Sequence, residues 1–150
     1  MTFQVPKKKV FLTITMVGDK KIKGNIFLSP QSALRYGEEL VIDLLNDKAP
    51  FFPFEVEETS AIRIINKKNI ISVISSEDTP AEEGLGKRQK ITAALIDGRK
   101  LTGEVIIDQP DYKSRVLDFF NSEERQFFRL LTETETHYLN VAHVSEVMPS

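Results

Sequence analysis

Asp43 and Asp118 occupy the same place in two similar phrases, "LVIDLLND" (Leu40 to Asp47) and "RVLDFFNS" (Arg115 to Ser122). Where burial splits their proton affinities, paired carboxylates can serve as general acid and base. On a short helix, an aspartate more commonly bonds nearby backbone N–H groups, and that capping role is the expectation here. Asn66 and Asn140 recur in the same way, ahead of the last strand of each phrase set, where they are expected to anchor a turn rather than hold a ligand. His137 and His143 are the only histidines, with Glu135 and Glu146 close in sequence. Those are metal-ligand types, but closed zinc sites draw on four good ligands, so two surface imidazoles without a metal are expected. The chain has no cysteine, which excludes disulfides, thiolate nucleophiles and cysteine-bound zinc or iron–sulfur centres. No serine sits in a Gly-x-Ser-x-Gly elbow, and "EGLGKR" lacks the spacing of a phosphate-binding loop. The residues therefore predict no catalytic group, no cofactor and no metal, and hence a protein that is not an enzyme.

A second chemistry concerns charge. Lys7, Lys8, Lys9, Lys20, Lys21, Lys23, Lys67 and Lys68 form the one basic concentration in a chain of net charge -2. Phosphate backbones are bound largely through such charges, so Lys20, Lys21, Lys23, Lys67 and Lys68 are the candidate contacts to RNA or another single strand. Lysines on strand edges also discourage edge-to-edge aggregation, and that role is expected first.

The elements that position these residues are written twice. "TMVGDKKIKGNIFL" (Thr15 to Leu28) and "ALIDGRKLTGEVII" (Ala94 to Ile107) align when Gly24 is set over Gly103. Leu12, Ile14, Met16, Ile22, Ile26 and Leu28 then stand over Ile91, Ala93, Leu95, Leu101, Val105 and Ile107, all of one parity. Strand side chains alternate faces, so shared parity predicts the same buried face in both copies. Gly-Asp and Asp-Gly mark a tight hairpin between the two strands of each copy. Gly24 and Gly103 fall on the inward face, which predicts a bend or a close backbone approach. Val41, Leu44 and Leu45, like Val116, Phe119 and Phe120, are spaced for one face of a short helix, with Asn46 and Asn121 ending it in a left-handed conformation. "FFPFEV" and "FFRLLT" then read as strands, the first at an edge because Pro53 lacks an N–H. "RIINKKNIISV" and "HYLNVAHVSEV" supply two more strands each. The segment 75–88 is rich in Ser, Glu, Gly and Pro and reads as a linker between a first domain, 1–74, and a second, 89–150.

With this pattern on the page, the chain resembles the Sm and Sm-like proteins. Their first motif, apolar strand, x-x-Gly, apolar, x-Gly, apolar, is echoed by "MVGDKKIKGNIF" and "LIDGRKLTGEVI", and their second, more loosely, by "IINKKNIISV" and "YLNVAHVSEV". It is also similar to an uncharacterised bacterial group of Sm-like domains with an "R-x-x-D-x-L-N" helix, matched by Arg115, Asp118, Phe120 and Asn121. The resemblance implies a mainly β fold of two tandem SH3-like barrels, each with a short helix after its second strand. The Arg-Gly with which Sm-like RNA binders hold a base is replaced by Asn66–Lys67 and Asn140–Val141. An interaction or adaptor module for a protein partner is therefore expected, with nucleic-acid binding as the alternative. The resemblance further implies self-assembly through open strand edges. No run of about 20 apolar residues is present, so a soluble protein without a membrane span is expected, and the absence of cysteine suits a reducing, cytoplasmic setting.

Overall fold

A computed structural model describes residues 7–32, 37–75, 86–107, 115–122 and 125–150. The strands are β1 (Lys8–Met16), β2 (Lys20–Leu28), β3 (Phe51–Val56), β4 (Ile62–Asn66) and β5 (Ile70–Ser75), then β6 (Lys87–Leu95), β7 (Lys100–Ile107), β8 (Phe127–Leu131), β9 (Thr136–Asn140) and β10 (Val144–Pro149). Helix α1 (Val41–Asn46) lies between β2 and β3, and α2 (Val116–Phe120) between β7 and β8. Single 3-10 turns, Lys67–Asn69 and Val141–His143, link β4 to β5 and β9 to β10. β5 runs to Ser75 and β6 starts at Lys87, so Ser75, Lys87 and Arg88 belong to strands rather than to a linker; 76–85 lies outside the described residues.

All ten strands form one open antiparallel sheet in the order β10-β6-β7-β8-β9-β5-β1-β2-β3-β4. Each half of the chain repeats the same local order, with its last strand beside its first. Neither half closes its own sheet by a ladder, because β4 and β5 stand at opposite ends of the first half, as β9 and β10 do in the second. The two halves are instead joined through β9 and β5, which leaves β4 and β10 as the two edges.

The repeated alternation buries what its parity predicts. Val10, Leu12, Ile14, Ile26 and Leu28 lie in one core, and Ile91, Ala93, Leu95, Val105 and Ile107 in another. The hairpins form at the predicted turns, where Gly18 (φ 84°), Asp19 (φ 57°) and Gly98 (φ 92°) supply the positive angles. Pro53 sits in β3, which is an interior strand and not an edge. Its missing N–H is tolerated because the β2–β3 ladder covers only Gly24↔Val56 and Asn25↔Glu55, ending before Pro53.

That short ladder reflects a sharp turning of the sheet at the inward glycines. A Cβ at Gly24 would collide with the Glu55 carbonyl oxygen and lie 2.8 Å from the Phe54 ring. At Gly103 it would lie 2.6 Å from the Leu131 carbonyl oxygen and 2.9 Å from Leu130. Backbone, not a flexible side chain, occupies the space in both places. Gly24→Ala and Gly103→Ala should each cost about 1–3 kcal/mol, the usual range for overpacking, measured as a lowered urea midpoint at unchanged slope. An unchanged midpoint would show that the approach relaxes freely.

Candidate functional site

The most elaborate polar and apolar arrangement in the molecule is the junction of the two halves. Along it Ser72 pairs with Leu139, Val73 with Tyr138, Ile74 with His137 and Ser75 with Thr136. Phe127 and Tyr138 come from the second half yet belong to the core of the first, while Ile71 crosses the other way. Two asparagines fasten the ends of this exchange. Asn46, at the end of α1, accepts the backbone N–H groups of Gln126 (3.0 Å) and Phe127 (2.8 Å) on Oδ1. Its Nδ2 donates to the Phe127 carbonyl at 3.2 Å. Asn140 donates from Nδ2 to the carbonyls of Lys67 (3.3 Å) and Ile70 (2.9 Å), while its Oδ1 accepts the Ala142 N–H at 3.0 Å. His143 Nε2 lies 2.7 Å from the Lys68 carbonyl, and since a carbonyl only accepts, that nitrogen carries the proton. Arg99 Nη2 donates to Ser72 Oγ at 2.7 Å.

The repeat places a second set of the same parts at the two ends of the sheet. Phe51 pairs with Asn66 as Phe127 pairs with Asn140, so Phe51 and Ile64 are the counterparts of Phe127 and Tyr138. Phe127 and Tyr138 are 1% and 0% exposed, whereas Phe51 and Ile64 are 49% and 65% exposed. β10 stands where β5 does, but β5 is buried at five of six positions and β10 at none. Between α2 and β10 lies a groove of about 360 Å³, lined chiefly by Val116, Leu117, Phe120, Val141, Val144 and Val147. Phe120 stands edge-on to Phe128 at 4.9 Å, which makes one wall rigid and apolar. Asn121, the counterpart of Asn46, is exposed at the end of α2.

The residues singled out from the sequence fall into structural roles. Asp43 Oδ2 accepts the Leu40 N–H at 2.8 Å and caps α1, whereas Asp118 pairs with Arg115 at 3.0 Å. Asn66, like Asn140, caps its 3-10 turn, accepting the Lys68 N–H at 3.0 Å. Asn121 has φ -88° and is not left-handed, and Asn46 is absent from the positive-φ residues; both were expected to be. The amide of Asn46 serves the junction instead. His137 is 7% exposed and so is no surface residue, because β9 is covered on both sides by β8 and β5. Its Nε2 lies 4.0 Å from Glu135, and among the described residues no group of three metal-ligating side chains forms. Lys20, Lys21, Lys23 and Lys68 are exposed, but Lys67 is 2% exposed and donates from Nζ to the Asp47 carbonyl at 3.0 Å. Burial lowers the Lys67 pKa, against the pull of Asp47 and Glu39, so this lysine is withdrawn from the candidate basic surface. Lys9 is engaged by Glu55 at 3.2 Å. Among the described residues no helix is long and apolar enough to cross a membrane.

Burial also lowers the His137 pKa from 6.5, more than Glu135 raises it, and Arg99 adds to the lowering. As pH falls below about 6.5 the unfolded chain takes up the proton first, so stability present above that pH is lost as pH falls through the lower folded value. The urea midpoint should therefore drop between about pH 7.5 and 5.5, and His137→Gln should flatten that drop. An equal drop in the variant would assign the acid sensitivity elsewhere. Set against known protein families, characterised proteins and solved structures, the chain matches none, so the junction and its two open counterparts are what a functional reading rests on.

Proposed function

We propose that the chain is a non-enzymatic interaction module, built as two tandem Sm-like barrels each carrying a helix after its second strand, that receives a β-strand of a protein partner. The observation that carries this reading is the unequal burial of β5 and β10: the chain covers the first with its own β9 and Phe127 and leaves the second open beside an apolar groove. Strand addition suits such an edge, because main-chain bonds give affinity while a pocket for alternate side chains gives selectivity. Pro149, at the end of β10, continues the apolar wall beyond Val147. The strand order within each half and the two inward glycines support the barrel reading.

Short peptides alternating β-branched and polar residues after an aromatic should bind, read by fluorescence anisotropy, and the exposed-site double variant Leu117→Glu/Asn121→Ala should weaken binding at least about tenfold. No binding across a varied panel would sink the reading.

A nucleic-acid reading draws on Lys20, Lys21 and Lys23, exposed together on the β1–β2 hairpin, with Lys68 exposed as well. It requires a random RNA pool to bind at low salt, with affinity falling steeply as salt rises. Reversing the charge of Lys20, Lys21 and Lys23 should flatten that slope. Undetectable binding at low salt would remove it.

A further inference from the structure

The two copies differ most on their outward faces, where a polar strap in the first is replaced by a cleft in the second. In the first copy Lys9 Nζ on β1 lies 3.2 and 3.3 Å from the two carboxylate oxygens of Glu55 on β3, and Asn25 Nδ2 on β2 donates to Glu55 at 3.3 Å. The Glu57 N–H then donates to the Lys23 carbonyl at 2.9 Å, which carries the joining of β2 to β3 past the end of their ladder. In the second copy Arg88, Thr102, Glu104, Leu131 and Glu133 stand where Lys9, Lys23, Asn25, Glu55 and Glu57 do. The carboxylate has thus moved from the third strand to the second. Arg88 meets Glu104 on the adjacent strand at 3.8 Å, and Leu131 offers β8 no polar side chain to hold. β7 and β8 share the single pair Glu104↔Leu131, and among the described residues the Glu133 N–H does not reach the Thr102 carbonyl.

The strands splay at this point around a cleft of about 710 Å³ that runs from β6 across β7 to the turn after β8. Its walls carry unlike charge. Arg88 and Lys90 stand on the β6 side and Glu133 and Thr134 on the far side, with Thr102, Glu104 and Leu131 between them. Lys90 and Glu133 are exposed, and among the described residues neither side chain has an ion-pair or hydrogen-bond partner.

We propose that this cleft binds a short peptide with both termini free, its carboxylate toward Lys90 and Arg88 and its ammonium toward Glu133. A site of opposed charges suits a zwitterion, because a simple anion or cation would be repelled by one wall as it met the other. Length follows from strand spacing: walls two strands apart stand about 10 Å from each other, the reach of roughly three extended residues. A single amino acid is too short to engage both. The peptide's own amide meets the groups left open by the splay, its N–H donating to the Thr102 carbonyl and its C=O accepting from the Glu133 N–H. Leu131 lies under the middle of the peptide and favours a small apolar side chain there. The cleft shares no residue with the groove between α2 and β10, so this site stands or falls apart from the strand-receiving reading.

The test titrates the full-length chain with trialanine, read by calorimetry and by backbone amide shifts. Saturable binding of one peptide per chain is expected, weakening as salt rises, with shifts centred on Lys90, Thr102, Glu133 and Thr134. Acetylating the peptide's amino end or amidating its carboxyl end should each weaken binding at least about tenfold, the scale of a hydrogen bond to a charged group. Lys90→Gln and Glu133→Gln, both at exposed positions, should do the same from the protein side. Glu104→Asn/Leu131→Glu transplants the strap of the first copy and should abolish binding while the circular dichroism stays that of wild type. The two single variants keep the test decisive whether or not the strap variant folds. An absence of saturable binding, equal binding of a peptide capped at both ends, affinity unchanged in both single variants, or wild-type affinity in a folded strap variant would overturn the proposal.

Discussion

The ladder between β5 and β9, with Phe127 and Tyr138 pressed into the neighbouring core, is the contact on which the rest of the molecule depends. Half-chains of this size bury a smaller fraction of their surface than larger domains do and are marginal alone. Each half therefore gains from lending side chains to the other. The exchange runs both ways, since Ile71 of β5 is part of the second core. The asparagines matter because they satisfy backbone groups that strand pairing cannot reach, and buried backbone groups left unpaired are costly. A single side chain, Asn46, holds both the donor and the acceptor of Phe127 and thereby sets where the aromatic enters.

Joining two like halves in this way leaves an asymmetric molecule. Every part of the junction has a counterpart, but only one set is engaged within the chain. The differences between counterparts follow from that. Lys67, buried against the junction with its ammonium on the Asp47 carbonyl, corresponds to Val141, which lines the open groove. His137, shielded by strands on both sides, corresponds to Arg63, which stands on the outermost strand and keeps its charge in water. Burial favours a titratable imidazole over a guanidinium that cannot shed its proton.

Much of this architecture is legible in residue order. The hairpins follow from Gly-Asp and Asp-Gly between alternating runs, the buried faces from shared parity, and the close backbone approaches from glycine on an inward face. The short helices appear where the i, i+3, i+4 spacing puts them. The capping work of Asp43 and the turn work of Asn66 and Asn140 also follow from local chemistry. Four misplacements share one cause: a surface place for His137, a basic patch for Lys67, an edge for Pro53 and a left-handed cap for Asn46 are local readings, and each of these residues is placed by a neighbour distant in sequence.

What the sequence by itself determined is therefore everything with a range of a few residues: which segments are strands, which face of each is apolar, where the chain turns and where no side chain can fit. Alternation and turn preference are local, and they read the same in both copies. Only the tertiary structure decided which strand of one half meets which strand of the other, and so which copy of Phe, Asn and β-edge is covered and which is open. Two phrases of the same pattern carry like local signals, so their different fates are set by pairing across the molecule.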